Sequence, residues 1–362
     1  MPDFARGGER LVLDSVFFGR EDLSALGKVL PAETLASVRD FLREWFSDAP
    51  SMRLQTSGST GAPKEFFASK ARMRQSARLT CGALGLQAGD SALVCLPLDF
   101  IAGKMMLVRA LVARLDLRVI PPSGHPLADV DRPFDFSAMT PMQVGNSLRS
   151  PSESARLARI GTLLIGGAAI PAAMEAALKR LPGAIHATYG MTETLSHIAL
   201  RRIGASRYIP FPSVTLTLGD DGALLIDAPL VCAERLVTRD VARLHTDGSF
   251  EILGRLDNVI NTGGVKVHIE EMENRLSALI AVPFAVTAIP HEIYGEAIVL
   301  LVQGRCEAEA LEKMRAILPA AMMPKAVFST DALPMTPTGK ICRAECRKMA
   351  ESLSRAAMEK SL

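Results

Sequence analysis

The sequence lacks most of the features that mark a specialised partner or compartment. Charge of one sign is missing: 41 Lys and Arg against 39 Asp and Glu leave a net charge of +2, and no basic stripe is interleaved with aromatics. That balance argues against a nucleic-acid partner. Long apolar runs are missing too, and a membrane span needs roughly 18 such residues. Asp3, Arg6, Glu9 and Arg10 crowd the first residues with no apolar core behind them, so no signal peptide is expected. Cysteine is sparse and scattered. Cys342 and Cys346 lack a second pair of ligands, which speaks against zinc and for reduced thiols in a cytoplasmic protein. Neither an internal repeat nor a low-complexity tract is present, and His125, His186, His245, His268 and His291 show no metal-like spacing.

What remains is an ordinary globular composition on a long chain. The 362 residues suffice for two domains, and 48% hydrophobic with 22% charged residues excludes a disordered chain. Leu35, Val38, Leu42 and Trp45 recur at helical spacing after Pro31, predicting a packing helix over 32–46. From 52 to about 200, apolar runs such as 92–96, 117–120 and 162–165 alternate with helix-like segments. That alternation predicts an α/β layer with a buried sheet. From 206 to 254 the texture becomes short strands with hairpin turns at 220–222 and 246–248. Beyond Asp257, strands at 284–289 and 297–302 and helices at 307–318 and 343–357 are expected, with a domain boundary near Asp257.

The stretch that organises the chain is Thr56-Ser57-Gly58-Ser59-Thr60-Gly61-Ala62-Pro63-Lys64. Hydroxyls, two glycines and a lysine in so few positions make an array of donors beside a cation, which suits a polyphosphate. It is not a P-loop of the kinase type, since Pro63 precedes Lys64 and Glu65 follows it. Later come Gly166-Gly167-Ala168 after an apolar run, Tyr189-Gly190-Met191-Thr192-Glu193, Asp240, Gly254-Arg255-Leu256-Asp257, Asn261-Thr262-Gly263-Gly264-Val265-Lys266, and Pro337-Thr338-Gly339-Lys340.

These motifs, in this order, resemble those of the adenylate-forming superfamily of acyl-CoA synthetases, luciferases and peptide-synthetase adenylation domains. The resemblance runs from about residue 52 to 345. It implies a mixed α/β fold. Residues 1–256 would form a large N-terminal α/β domain with a small β-rich portion, and residues 257–362 a small mobile α+β C-terminal domain turning about Asp257. It implies ATP, Mg²⁺ and CoA as cofactor and co-substrates.

By the same resemblance, Thr56 to Gly61 and Lys64 hold the phosphates and Gly167 and Ala168 the adenine. Tyr189, Gly190 and Met191 also belong to the nucleotide site, with Tyr189 stacking on the adenine; Thr192 meets the α-phosphate, and Glu193 holds Mg²⁺. Asp240 and Arg255 take the ribose, Lys340 stabilises the charge that builds on the α-phosphorus, and Gly263, Gly264 and Lys266 approach CoA. Three departures stand out. Arg239 replaces a usual Gly, Gly264-Val265 stands where an aromatic or Glu is common, and only 55 residues precede the phosphate loop. That shortening predicts an open flank, which a homodimer would cover.

For the acid, Tyr189 to Arg202 together with Asp99 to Met106 resembles short bacterial o-succinylbenzoate–CoA ligases of menaquinone synthesis. Such an acid keeps a second carboxylate, which needs a cation or several donors. Phe100, Lys104, Ser196 and His197 are the expected acyl contacts, with Arg201 a further candidate. A ligase for another aromatic or short acid, an adenylation enzyme loading a carrier protein, and a non-catalytic nucleotide-binding protein stay open as alternatives.

Overall fold

The computed structural model describes residues 9–55, 65–277, 279–280, 282–305, 308–335 and 341–359. The expected phosphate contacts Thr56, Ser57, Gly58, Ser59, Thr60, Gly61 and Lys64, and the expected catalytic Lys340, lie outside the described residues.

The chain order is hairpin, helix, hairpin, then alternating helices and strands. The first hairpin is β1 (Leu11–Leu13) and β2 (Val16–Phe18), followed by α1 (Ala32–Trp45). The second, β3 (Ser51–Gln55) and β4 (Glu65–Ser69), flanks the Ser/Gly run. After it come α2 (Lys70–Leu84), β5 (Ser91–Val94), α3 (Ile101–Ala113), β6 (Asp116–Val119), β7 (Phe134–Met139), α4 (Pro141–Arg149), α5 (Pro151–Leu157), β8 (Ile160–Ile165), α6 (Ala172–Leu178), β9 (Ala184–Gly190), β10 (His197–Arg202) and β11 (Ile209–Pro210). As the hydroxyl before a basic helix suggests, the Ser69 side chain caps α2 by accepting from the Arg72 amide.

Nine strands make one sheet in the order β11-β10-β9-β8-β7-β5-β6-β1-β2. The run from β9 to β1 is parallel, and β10, β11 and β2 close it antiparallel. Helices cover the parallel strands, so their apolar runs are buried on both faces. The expected open flank is taken up in part by the chain itself. Val38, Phe41, Leu42 and Trp45 of α1 sit in the main core, and β1 adds to β6; Val16 and Phe17 of β2 stay exposed at the sheet edge.

A second, antiparallel sheet follows: β12 (Thr215–Leu218), β13 (Ala223–Asp227), β14 (Leu236–Leu244) and β15 (Phe250–Arg255). Its turns are those expected, with Gly222 and Gly248 at positive φ. The last part holds β16 (Val259–Thr262), β17 (Val265–His268), α7 (Ile269–Leu276), β18 (Phe284–His291), β19 (Gly295–Gln303), α8 (Ala308–Ile317), β20 (Ala326–Thr330) and α9 (Arg343–Glu359). Its sheet runs β17-β16-β19-β18, with β20 parallel on β19. A large N-terminal part and a small C-terminal part make a mixed α/β fold. Among the described residues the buried apolar clusters fall on either side of Leu256–Asn258. Two draw on residues from Leu11 to Phe250 and two on residues from Ile260 onward.

Candidate active site

The end of β9 carries the densest set of candidate residues. Gly190 is fixed there by sterics: a Cβ would lie 2.3 Å from the Ser196 carbonyl oxygen. The chain then turns sharply through 191–196. Leu195 sits at φ 65°, a left-handed conformation costly for a branched residue, and its side chain is buried. The Thr194 hydroxyl ties the turn, accepting from the Met191 amide at 3.0 Å and lying 2.7 Å from the Ser196 carbonyl. Thr192 is half-buried and Glu193 is exposed, with no protein partner for its carboxylate among the described residues. A lone exposed carboxylate beside a hydroxyl fits a hard cation that brings phosphate and water as its other ligands. No three metal-ligating side chains converge among the described residues.

Opposite this turn lies a node of charges on β14 and β15. Antiparallel register sets Asp240 directly across from Arg255. The Arg255 guanidinium donates to Asp240 Oδ1 at 3.0 Å, and the Tyr189 hydroxyl donates to Asp240 Oδ2 at 2.7 Å. Burial and the neighbouring carboxylate hold the Tyr189 phenol far above its usual range, so it is a donor throughout. Its ring packs edge-on against Phe250, 5.3 Å between centroids, with Tyr208 beyond. Three expected nucleotide residues from separate parts of the sequence thus meet at one carboxylate. Gly167, at the end of β8, has φ 89° and open space where a side chain would stand.

The expected acyl contacts are engaged within the protein. Lys104 donates to the backbone carbonyl of Arg53 in β3 at 3.1 Å, tying α3 to the hairpin of the Ser/Gly run. Arg201 is also committed, forked onto Glu175 of α6 at 2.8 and 2.9 Å. Phe100, 36% exposed, stands at the start of α3. His197 is buried between two hydroxyls, Thr80 Oγ1 at 3.1 Å from Nε2 and Ser196 Oγ at 3.2 Å from Nδ1, and burial drives its pKa well below the ordinary value.

The cation at this place is Arg109. It is only 2% exposed, yet no carboxylate among the described residues pairs with it. One guanidinium nitrogen donates to Ser196 Oγ at 2.6 Å and another lies 3.7 Å from Met106 Sδ, while Nε has no partner. Burial pushes its pKa down to about 10, so it stays charged at neutral pH. In sequence Arg109 read as one basic residue on a helix beside Lys104. Its isolation in a run of apolar residues was the available signal. Gly263, Gly264 and Lys266, expected to approach CoA, form the exposed tip between β16 and β17.

Comparison with known proteins places the chain in a family. The AMP-binding enzyme family model matches residues 30–230, and that of the AMP-binding enzyme C-terminal domain matches 271–340. The chain belongs to the AMP-binding enzyme family. It is 28% identical over 331 residues to a probable 2-succinylbenzoate–CoA ligase of Mycobacterium tuberculosis, covering 83% of this chain and 85% of that protein. The solved structure of an acyl-CoA synthetase (AMP-forming)/AMP-acid ligase II-like protein from Dyadobacter fermentans is similar at 31% identity and a TM-score of 0.62, over 91% of this chain and 97% of that one. The o-succinylbenzoate CoA synthetase of Bacillus subtilis, solved with ATP and magnesium, shares the fold. Its TM-score is 0.71 at 21% identity, over 83% of this chain and 70% of that one. Among the described residues no helix is long and apolar enough to cross a membrane.

Proposed function

We propose that the chain is an AMP-forming acid–CoA ligase whose acid carries a second carboxylate, o-succinylbenzoate being the compound of choice. The observation that carries the choice of acid is Arg109. A buried guanidinium without a counterion is costly, and the cost is recovered when an anion arrives. A plain fatty acid or benzoate leaves that charge bare. The 2-succinylbenzoate–CoA ligase named among the relatives supports the same acid.

In the first step the activated carboxylate of the acid attacks the α-phosphorus of ATP and pyrophosphate leaves, giving an acyl-adenylate. In the second the CoA thiol attacks the acyl carbon and AMP leaves. Asp240 accepts the ribose hydroxyls, with Tyr189 and Arg255 fixing its two oxygens. Gly167 and Ala168 lie beside the adenine, and Thr192 binds the α-phosphate. Glu193 is the residue to hold Mg²⁺, which supplies neutralising charge to the phosphates. Ser196, oriented by Arg109 and backed by His197, lies between the guanidinium and the second carboxylate. Lys64 and Lys340 complete the phosphate and carboxylate contacts. Residues 1–256 and 257–362 act as two domains about Asp257, so one site serves both steps.

The test is pyrophosphate release with ATP and Mg²⁺ over o-succinylbenzoate, benzoate and a medium-chain fatty acid, with and without CoA. Release confined to o-succinylbenzoate, with its CoA thioester formed, is the expected result. Equal release with benzoate would remove the second-carboxylate reading.

A further inference from the structure

The chain crosses between its two sets of cores through the short 3-10 turn Leu256–Asn258, which puts Asp257 at the joint. Asp257 is held from the large part by two arginines. Arg239 donates to Oδ1 through Nε at 2.9 Å and through a terminal nitrogen at 2.7 Å, and Arg255 donates to Oδ2 at 3.0 Å. Asp221 is the other acid that Arg239 feels.

Close contacts also cross the joint. The Gly254 backbone faces His268 and Glu270 on the far side, and Asn258 bonds one Glu270 oxygen. Glu270 Oε2 and His268 Nδ1 are buried there without hydrogen-bond partners among the described residues. Unpartnered buried polar atoms penalise an arrangement, and the ion pairs at Asp257 act against that penalty. In it the tip Gly263–Lys266 is exposed.

We propose that Arg239 is a positioning residue, an ionic latch that clamps Asp257 and keeps the 263–266 tip turned to solvent until the thiol-transfer step. The inference rests on the two-step reading above. The latch is strong in geometry and weak in energy. Arg239 and Asp257 are 59% and 46% exposed, so the pair is screened by salt and opens without unfolding anything. The nearby positive charges also hold the Asp257 carboxyl below its usual range, keeping it ionised through the working pH. Because Arg255 bonds both Asp240 and Asp257, the clamp begins at the residue that takes the ribose.

The test compares the parent with Arg239→Gly and Arg239→Gln. Fluorophores sit on Asp220→Cys in the β12–β13 turn and Arg355→Cys on α9, in a chain carrying Cys232→Ser, Cys306→Ser and Cys342→Ser. Without substrates, at about 0.02 M salt, the variants should show a broader interdye distance distribution than the parent, and the two should merge at about 0.5 M salt. In turnover, the ratio of thioester formation to adenylate formation should rise about 2- to 5-fold in the variants at low salt only. Identical distance distributions would overturn the latch, as would equal losses in both steps with a lowered Tm. If the distributions differ but no acid yields a thioester with any version, the latch stands and the two-step reading falls.

Discussion

Two clusters of charge lie at the candidate site, and they are built on opposite terms. At Asp240, Arg255, Asp257 and Arg239 every charge has a partner, and three of the four side chains are more than two-fifths exposed. At Arg109 one charge is buried and has no acid partner among the described residues. Exposed pairs contribute about 0–1 kcal/mol each, so the first cluster holds shape without committing the fold to it. A buried charge matters by several kcal/mol, in whichever direction its partner is present or absent. The first cluster is adjustable and suits a joint. The second is incomplete and suits a ligand that completes it.

The most decisive way to break this comparison is Arg109→Met. With o-succinylbenzoate, kcat/KM should fall about 10²- to 10³-fold, the loss expected on removing one partner of a buried charge pair. With benzoate it should scarcely change. Meanwhile urea unfolding of the protein without substrate should show a gain of about 1–3 kcal/mol, since an uncompensated ion is gone. Loss of stability instead would mean that Arg109 is a structural ion. Next in size is Asp240→Asn, which should raise the KM for ATP about 10- to 100-fold in the pyrophosphate assay, as charged hydrogen bonds to the ribose are lost.

His197 gives a pH signature of the buried cluster. Its folded pKa lies well below 6.5, so it folds neutral. Below the unfolded pKa the unfolded chain binds a proton that the folded one does not. Stability is therefore full above that pH and falls as pH drops. The loss should approach about 2 kcal/mol between pH 6.5 and 5, measured by urea unfolding. His197→Gln should flatten most of the slope. A remainder is expected from His186, whose pKa is also lowered by burial. The smallest expected effect sets the scale for the exposed cluster. Arg243→Ala, which removes a surface pair with Glu251 on the same sheet as Arg239, should change stability by less than about 0.5 kcal/mol and leave both reaction steps alone.

Much of the fold was legible because periodicity is strong where one face is buried. Of the residues chosen for α1, Val38, Leu42 and Trp45 are in the core, and Leu35 packs against it partly buried. The strands at 117–119, 162–165 and 284–289 stand where apolar runs predicted them. Asp240 and Arg255, expected from separate motifs to take the ribose, are set opposite each other by cross-strand register. The choice between Lys104 and Arg109 was not legible. Helix α3 is apolar nearly all round, so no polar stripe tells which face meets solvent. Five residues at about 100° each put the two cations roughly 140° apart on the helix, and only packing decides which is buried. The opening hairpin was missed because strands of three residues show no period. Its Asp14-Ser15 turn, with φ of 43° and 67°, lacks the glycine that usually marks such a turn.

That hairpin also sets an order of assembly. β2 pairs only with β1, and β1 has its other partner in β6, Val12 facing Asp116 and Leu13 facing Leu117. Ser15 in the turn bonds the Asp116 carboxylate at 2.8 and 3.0 Å through its amide and hydroxyl. The hairpin therefore has no place to dock until about a hundred later residues exist, several seconds of synthesis at ribosomal rates. Long-range pairing of this kind is slow. The early strands wait as exposed Val, Leu and Phe until β6 has been made.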